Sequence, residues 1–213
     1  MNALQSVLEN VTNNFEQRRL EITKLRRVTL NWEGKSLEAT VVDMGIPMIY
    51  AHWEGYVKEV CQLYLEYVES SVGCSRELHA DLLGYMWTPQ LRPLIGGLNS
   101  ERRRAVAELA LDSHRAPVAF SETEKAIDTK SNLRYSVLES IAEALHLDIT
   151  LLATWKRNLD VLVDMRNNIA HGARPRSLTC SDFEGYAART LALMEAFEGV
   201  IVSALTERTF CTV

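Results

Sequence analysis

Three features of the 213-residue sequence predict an all-α helical bundle. Its 10 glycines and 5 prolines are too few for the frequent turns of an all-β design. Apolar residues recur at helical spacing over several long stretches, most regularly from Leu133 to Leu145. The apolar share of 47% and the charged share of 24% suit a chain with one buried core. A single helical domain over residues 1–213 is therefore expected, with a short β-hairpin or an irregular insertion near residues 28–42.

Taken in order, Leu4, Val7, Leu8, Val11, Phe15 and Ile22 mark a first helix from Ala3 to about Lys24. The segment VTLNWEGKSLEATVV alternates only partly and contains Gly34, which gives a hairpin or an irregular linker. Pro47 can open a helix without losing a hydrogen bond, and the following MIYAHWEGYVKEVCQLYLEYVESS is apolar around most of its circumference. That helix should be the most buried, and Gly73 ends it. From Cys74 to Asn99, Pro89, Pro93 and Gly96-Gly97 break the chain into short helices and turns. Asn99 or Ser100 caps a helix ERRRAVAELALD, and Pro117 with SETEKAIDTKS forms a connection. An amphipathic helix follows over Leu133–Leu145, then a long one from about Leu151 to His171, closed by Gly172 as a left-handed cap with Pro175 beyond. The last helix opens on Ser181-Asp-Phe-Glu184, read as a capping box, and runs through Tyr186, Leu193, Phe197, Ile201 and Leu205.

The N-terminal residues carry acids and no continuous apolar run, so neither a secretion signal nor a membrane span is expected, and a cytoplasmic location is. Cys61, Cys74, Cys180 and Cys211 stand singly, which reads as core thiols and a tail thiol rather than a disulfide or zinc framework. The five histidines lack metal-ligand spacing, and Gly96-Gly97 lacks the Lys-Ser/Thr of a phosphate loop. No metal or cofactor is expected. A formal net charge of -5 argues against coating nucleic acid over the whole surface. Any RNA contact is local: Lys156, Arg157, Arg166, Arg174 and Arg176 outnumber Asp160 and Asp164 over residues 151–180, a pattern shared by an RNA contact and a solvated helix face. The triple Arg102-Arg103-Arg104 is a phosphate contact or, more simply, a solvated helix start. Trp53 and Trp155 fall in apolar stripes and read as core, whereas Trp32 and Trp87, in irregular segments, are open to base stacking.

The sharpest anomaly lies before His171. Trp155, Leu159, Leu162, Val163, Ile169 and Ala170 form one apolar stripe by spacing, and Arg166 falls within it. A guanidinium cannot be neutralised, so the position calls for a carboxylate, a second subunit or an anionic ligand. Five residues turn a helix by about 140°, so Arg166 and His171 do not share one narrow face, whereas Asn167 and His171 share a side. Such a set suits a groove in which two copies of the helix face one another. His171 ends the helix, where the macrodipole favours a cationic ring. Arginine and histidine together fit cleavage of a phosphodiester by the substrate's own 2′-hydroxyl, with the imidazole moving protons and the guanidinium balancing charge on the phosphate. The plainer alternative is a core salt bridge from Arg166 to Glu54 or Asp164, with His171 only capping the helix. Glu54 itself either orients Arg166 or is solvated at its helix's edge; Tyr50, Val57 and Cys61 beside it favour an inward position.

The string Leu162-Val163-Asp164-Met165-Arg166-Asn167-Asn168-Ile169-Ala170-His171-Gly172 resembles the RNxIAHG form of the R-x4–6-H signature of HEPN nucleases. IYAHWEGYVKE (49–59) and IDTKSNLRYSVLESIAEALHLD (127–148) are similar to segments of the bacterial MAE-type HEPN-like family. The resemblance spans residues 49–172. It implies a helical bundle that dimerises through the motif helices, and a metal-independent endoribonuclease leaving a 2′,3′-cyclic phosphate. Arg166 and His171 then become the catalytic pair, with Asn167 the polar residue after the arginine. Relatives act as toxins or in phage defence under the control of an antitoxin or other protein partner. Some keep the bundle without cleavage, so a catalytically inactive module that binds RNA or a protein is the alternative.

Overall fold

The described residues of the computed structural model are 2–92, 100–112, 116–173 and 177–212. In chain order they form α1 (Ala3–Leu30), α2 (Glu38–Ser71), α3 (Ala80–Met86), α4 (Thr88–Leu91), α5 (Ser100–Asp112), α6 (Glu122–Lys125), α7 (Tyr135–Ala144), α8 (Lys156–Ala170) and α9 (Cys180–Glu207). Tighter 3-10 turns occupy Ser75–Glu77 and Thr150–Trp155. The β-structure among the described residues is an isolated antiparallel bridge between Leu78 and Cys211. The fold is all-α, as the sequence predicts.

Each of α1, α2 and α9 packs on the other two, and α8 lies against α2. α2 is the spine because apolar residues cover most of its circumference; Ile46, Ile49, Trp53, Tyr56, Val57, Val60, Tyr64 and Leu65 are all buried. Its aromatic rings meet those of α1 and α9 edge-on or tilted: Trp53 lies 6.0 Å from Phe197, and Tyr56 lies 6.1 Å from Phe15. Polar ties set the order of the helices. Arg18 of α1 pairs with Glu59 of α2 at 2.8 Å and donates to the His52 carbonyl at 3.1 Å. Glu38 at the start of α2 accepts from the backbone N–H of Gly34 and of Cys180, both at 2.8 Å, and so joins the α1–α2 turn to the start of α9. Those two hydrogen bonds hold its carboxyl below the ordinary range.

Several expected boundaries move. The first helix runs on to Leu30, and residues 31–37 are an irregular turn between helices, the second of the two alternatives but shorter than 28–42. α2 begins at Glu38, so Pro47 sits inside the helix rather than opening it. Tertiary burial on both sides of Pro47 outweighs the missing N–H. The polar connection after Pro117 contains the single-turn α6, capped reciprocally by Ser121 and Glu124. The expected helix from Leu151 starts as a 3-10 turn and becomes α-helical at Lys156. α9 is capped by Thr179 with Asp182, two residues before the anticipated box. Pro93, Gly96-Gly97, Asn99 and Pro175 lie outside the described residues.

Phe183 of α9 presses its buried ring on Gly45 of α2, where an added Cβ would come within 2.4 Å of Cε2. Gly45→Ala should therefore lower stability by about 1–3 kcal/mol in chemical denaturation despite alanine's better helix propensity. An unchanged unfolding midpoint would show that the ring yields instead.

Candidate functional site

α8 buries Leu159, Leu162 and Val163 against α2, and the same helical side carries Arg166 about one turn further on. There the helix outruns the core, so Arg166 is half-buried and Ala170 is exposed, which shortens the apolar stripe expected from spacing. The guanidinium carbon lies 4.9 Å from the centre of the Tyr50 ring, and Nη1 donates to Asn167 Oδ1 at 2.8 Å. Asn167 Nδ2 in turn donates to Asn132 Oδ1 at 3.3 Å. Among the described residues no carboxylate forms an ion pair with Arg166. The two acids proposed for a core salt bridge are committed elsewhere: Asp164 pairs with Arg134, and Glu54 with Lys58 at 3.2 Å.

Tyr50 connects these groups. Its ring is buried on α2, and its hydroxyl accepts the Leu133 N–H at 2.8 Å, with the Glu54 carboxylate one helical turn further along α2. Thr129, also buried, donates its hydroxyl to Glu54 Oε1. Burial pushes the Tyr50 phenol up to about 12, with Glu54 adding to the rise and the Leu133 N–H and Arg166 opposing it. Glu54 thus points inward, to the buried Thr129 hydroxyl, and pairs with Lys58 rather than with Arg166.

Residues 127–134, which deliver Thr129, Asn132 and Leu133, are backbone-strained. Ile127, Lys130 and Ser131 have φ of 41°, 56° and 50°, in the region that glycine favours. Each such residue costs roughly 1–2 kcal/mol. The hydrogen bonds to Tyr50, Glu54 and Asn167, and that from the Lys130 N–H to Asp128 Oδ1 at 2.8 Å, hold the loop in this form.

His171 is the C-cap of α8 and is exposed. Gly172, at φ +73°, donates to the Ile169 carbonyl at 3.1 Å, and Ala173 donates to that of Asn168 at 2.8 Å. This paired closure needs a left-handed residue at 172 and turns the chain away directly after the imidazole. Of the candidate RNA contacts, Lys156 lies 5.3 Å from the centre of the Tyr135 ring, Arg157 is exposed, and Arg174 and Arg176 lie outside the described residues. The structure therefore brings Arg166 and Asn167 together over the Tyr50 ring, with Glu54 one turn further along α2 and His171 exposed at the end of α8. Cationic and amide donors at a helix end, with an accessible imidazole nearby, suit an anionic ligand.

The family model described as HEPN_MAE_28990-like HEPN matches residues 7–210. The chain belongs to this family. The match extends well beyond residues 49–172 and takes in α1 and α9. Comparison with curated proteins and with solved structures found no match. No helix of the described part of this HEPN chain is long and apolar enough to cross a membrane.

Tyr50, Thr129 and Asn132 were not singled out from the sequence of the HEPN chain, although Tyr50 and Glu54 stand four apart on one helix and both loop residues lie in a quoted family segment. Their partnership across more than seventy residues has no local signature. The histidines are less scattered than their spacing suggests: His79 and His146 stack face to face beside Asp81. Cys61 and Cys180 are buried and Cys74 and Cys211 partly so, and no disulfide joins them.

Tyr50→Phe keeps the ring under Arg166 but leaves the Leu133 N–H without its acceptor, and should cost about 1–3 kcal/mol in urea denaturation. The raised phenol also fixes a pH dependence. Between the ordinary value of 10.0 and about 12 the unfolded chain releases a proton that folded Tyr50 retains, so stability falls as pH rises through that window. Tyr85, also raised to about 12, contributes a share. Thermal midpoints measured across the window should drop less steeply in Tyr50→Phe than in the wild type.

Proposed function

We propose that this chain is a single HEPN domain acting as a metal-independent endoribonuclease whose working site is assembled from two copies. The observation that carries the reading is Arg166: a half-buried cation on an aromatic ring, with no carboxylate ion pair among the described residues. A phosphate supplies the missing negative charge, and a second motif helix supplies the missing enclosure.

In this reading the 2′-hydroxyl oxygen attacks the neighbouring phosphorus and the bond to the 5′-oxygen breaks. The products are a 2′,3′-cyclic phosphate and a free 5′-hydroxyl. Arg166 balances charge building on the non-bridging oxygens, and Asn167 fixes the guanidinium by accepting from Nη1. His171, exposed at the helix end, takes the proton from the 2′-oxygen or delivers one to the leaving 5′-oxygen. Two copies provide one imidazole for each transfer. Glu54 supports the site by holding Thr129 of the 127–134 loop. Lys156 and Arg157, with Arg174 and Arg176, hold the RNA backbone, so affinity should weaken with salt. A toxin or phage-defence effector of the cytoplasm, restrained by an antitoxin or defence-system partner, is the role that suits such an activity.

Purified protein incubated with labelled RNA in excess EDTA should cleave it and leave 2′,3′-cyclic ends. Arg166→Ala should slow cleavage about 10²–10³-fold and His171→Ala about 10²–10⁴-fold, with the helical circular dichroism kept. Light scattering should give twice the chain mass. RNA binding without cleavage by the wild type would instead favour a catalytically silent module, and a monomer that cleaves at full rate would remove the shared site.

A further inference from the structure

A second cluster lies apart from the arginine and shares no residue with it. His79 caps the start of α3, Asp81 stands in its first turn, and His146 follows the end of α7. The His79 and His146 rings stack with centroids 3.4 Å apart and planes at 18°. Both Nδ1 atoms face one carboxylate oxygen: Asp81 Oδ2 is 3.3 Å from that of His79 and 2.8 Å from that of His146.

Protons alone satisfy this arrangement poorly. His79 Nδ1 accepts the Asp81 backbone N–H at 3.4 Å, which requires its lone pair, so it turns that lone pair and not a proton toward the neighbouring carboxylate. Protonating both rings would set two cations face to face at 3.4 Å. A divalent cation removes the conflict by accepting a lone pair from all three groups, His79 giving up its long 3.4 Å bond from the Asp81 N–H to do so. The spacing is close to what one needs: ligands about 2.0–2.1 Å from a tetrahedral zinc ion stand roughly 3.3 Å apart. The three side chains are between a third and a half exposed, so the rings are free to turn until their lone pairs share one point. A cleft of about 320 Å³, bordered by Asp81, His146, Asp148 and Thr209, leaves the fourth position open to water.

The backbone points the same way. α7 closes with His146 at φ +52°, its N–H bonded to the Glu143 carbonyl at 3.2 Å and that of Leu147 to Ala142 at 2.8 Å. Position 146 is thus the left-handed site of a helix closure, where glycine is favoured and histidine is strained. The strain places an imidazole against Asp81 and His79, which glycine cannot do.

We propose that His79, Asp81 and His146 form a Zn2+ site that clamps the start of α3 to the end of α7. It does not depend on RNA cleavage. The test uses the full-length chain, stripped with EDTA and dialysed, then titrated with Zn2+ against a chromogenic chelator and separately with Co2+ followed by its visible absorption. One ion per chain is expected, with a rise in thermal midpoint. His146→Gly and His146→Asn suit the left-handed backbone, and His79→Asn keeps a capping side chain, so all three should fold. Each should weaken binding by at least about tenfold and abolish the midpoint rise. Absence of stoichiometric binding at micromolar Zn2+, or binding unchanged in these variants, would overturn the assignment.

Discussion

The placement of one guanidinium on one aromatic ring organises much of what surrounds it. A cation over the face of a tyrosine gains about 0.5–2 kcal/mol, far less than desolvating the charge completely would cost. The fold therefore cannot bury Arg166, and it does not: α8 carries the residue just past the edge of the core, where one side meets Tyr50 and the rest stays accessible. Around that compromise the neighbouring acids are occupied. Glu54 goes to Lys58 and Thr129, and Asp164 goes to Arg134. The cation keeps amide company and an opening for something anionic.

The site also draws on the stability of the rest of the molecule. Three left-handed non-glycine residues between Ile127 and Ser131 are unfavourable on their own. They persist because Tyr50 and Glu54 of α2 accept hydrogen bonds from Leu133 and Thr129, and α2 is held in turn by its packing against α1 and α9. A rigid spine thus lets a strained loop present Asn132 to Asn167. Such transfer of strain from a loop to a core is common where side chains must be held in one arrangement.

Much of this was legible from residue order alone, and the rest failed for identifiable reasons. Long amphipathic stretches such as Leu133–Leu145 and the run before His171 gave helices of the right kind, because burial of one face dominates their energetics. Near residues 28–42 the choice between a hairpin and an irregular linker stayed open because partial alternation and Gly34 imitate a hairpin, while a contact that settles it for an irregular turn lies on α9, at Cys180. Pro47 misled because a local rule about helix starts competes with burial along both sides of α2. Arg166, Asn167 and His171 stood out through a short motif on one helix. Tyr50 and Asn132 did not, nor did the meeting of His79 with His146, because only tertiary folding joins them.

Sequence distance has one more consequence, for the order in which the molecule takes shape. Tyr50 meets Leu133 across 83 positions, Glu54 meets Thr129 across 75, and Asn132 meets Asn167 across 35. Each closure spends chain entropy before any contact returns it, which makes long-range pairings late events in folding. During synthesis from the N-terminus, the platform under the arginine stays incomplete until the 127–134 segment has left the ribosome, and the arginine itself comes later still. A chain that stops short of α8 has no arginine cluster, so the cluster is among the later features of the molecule to form.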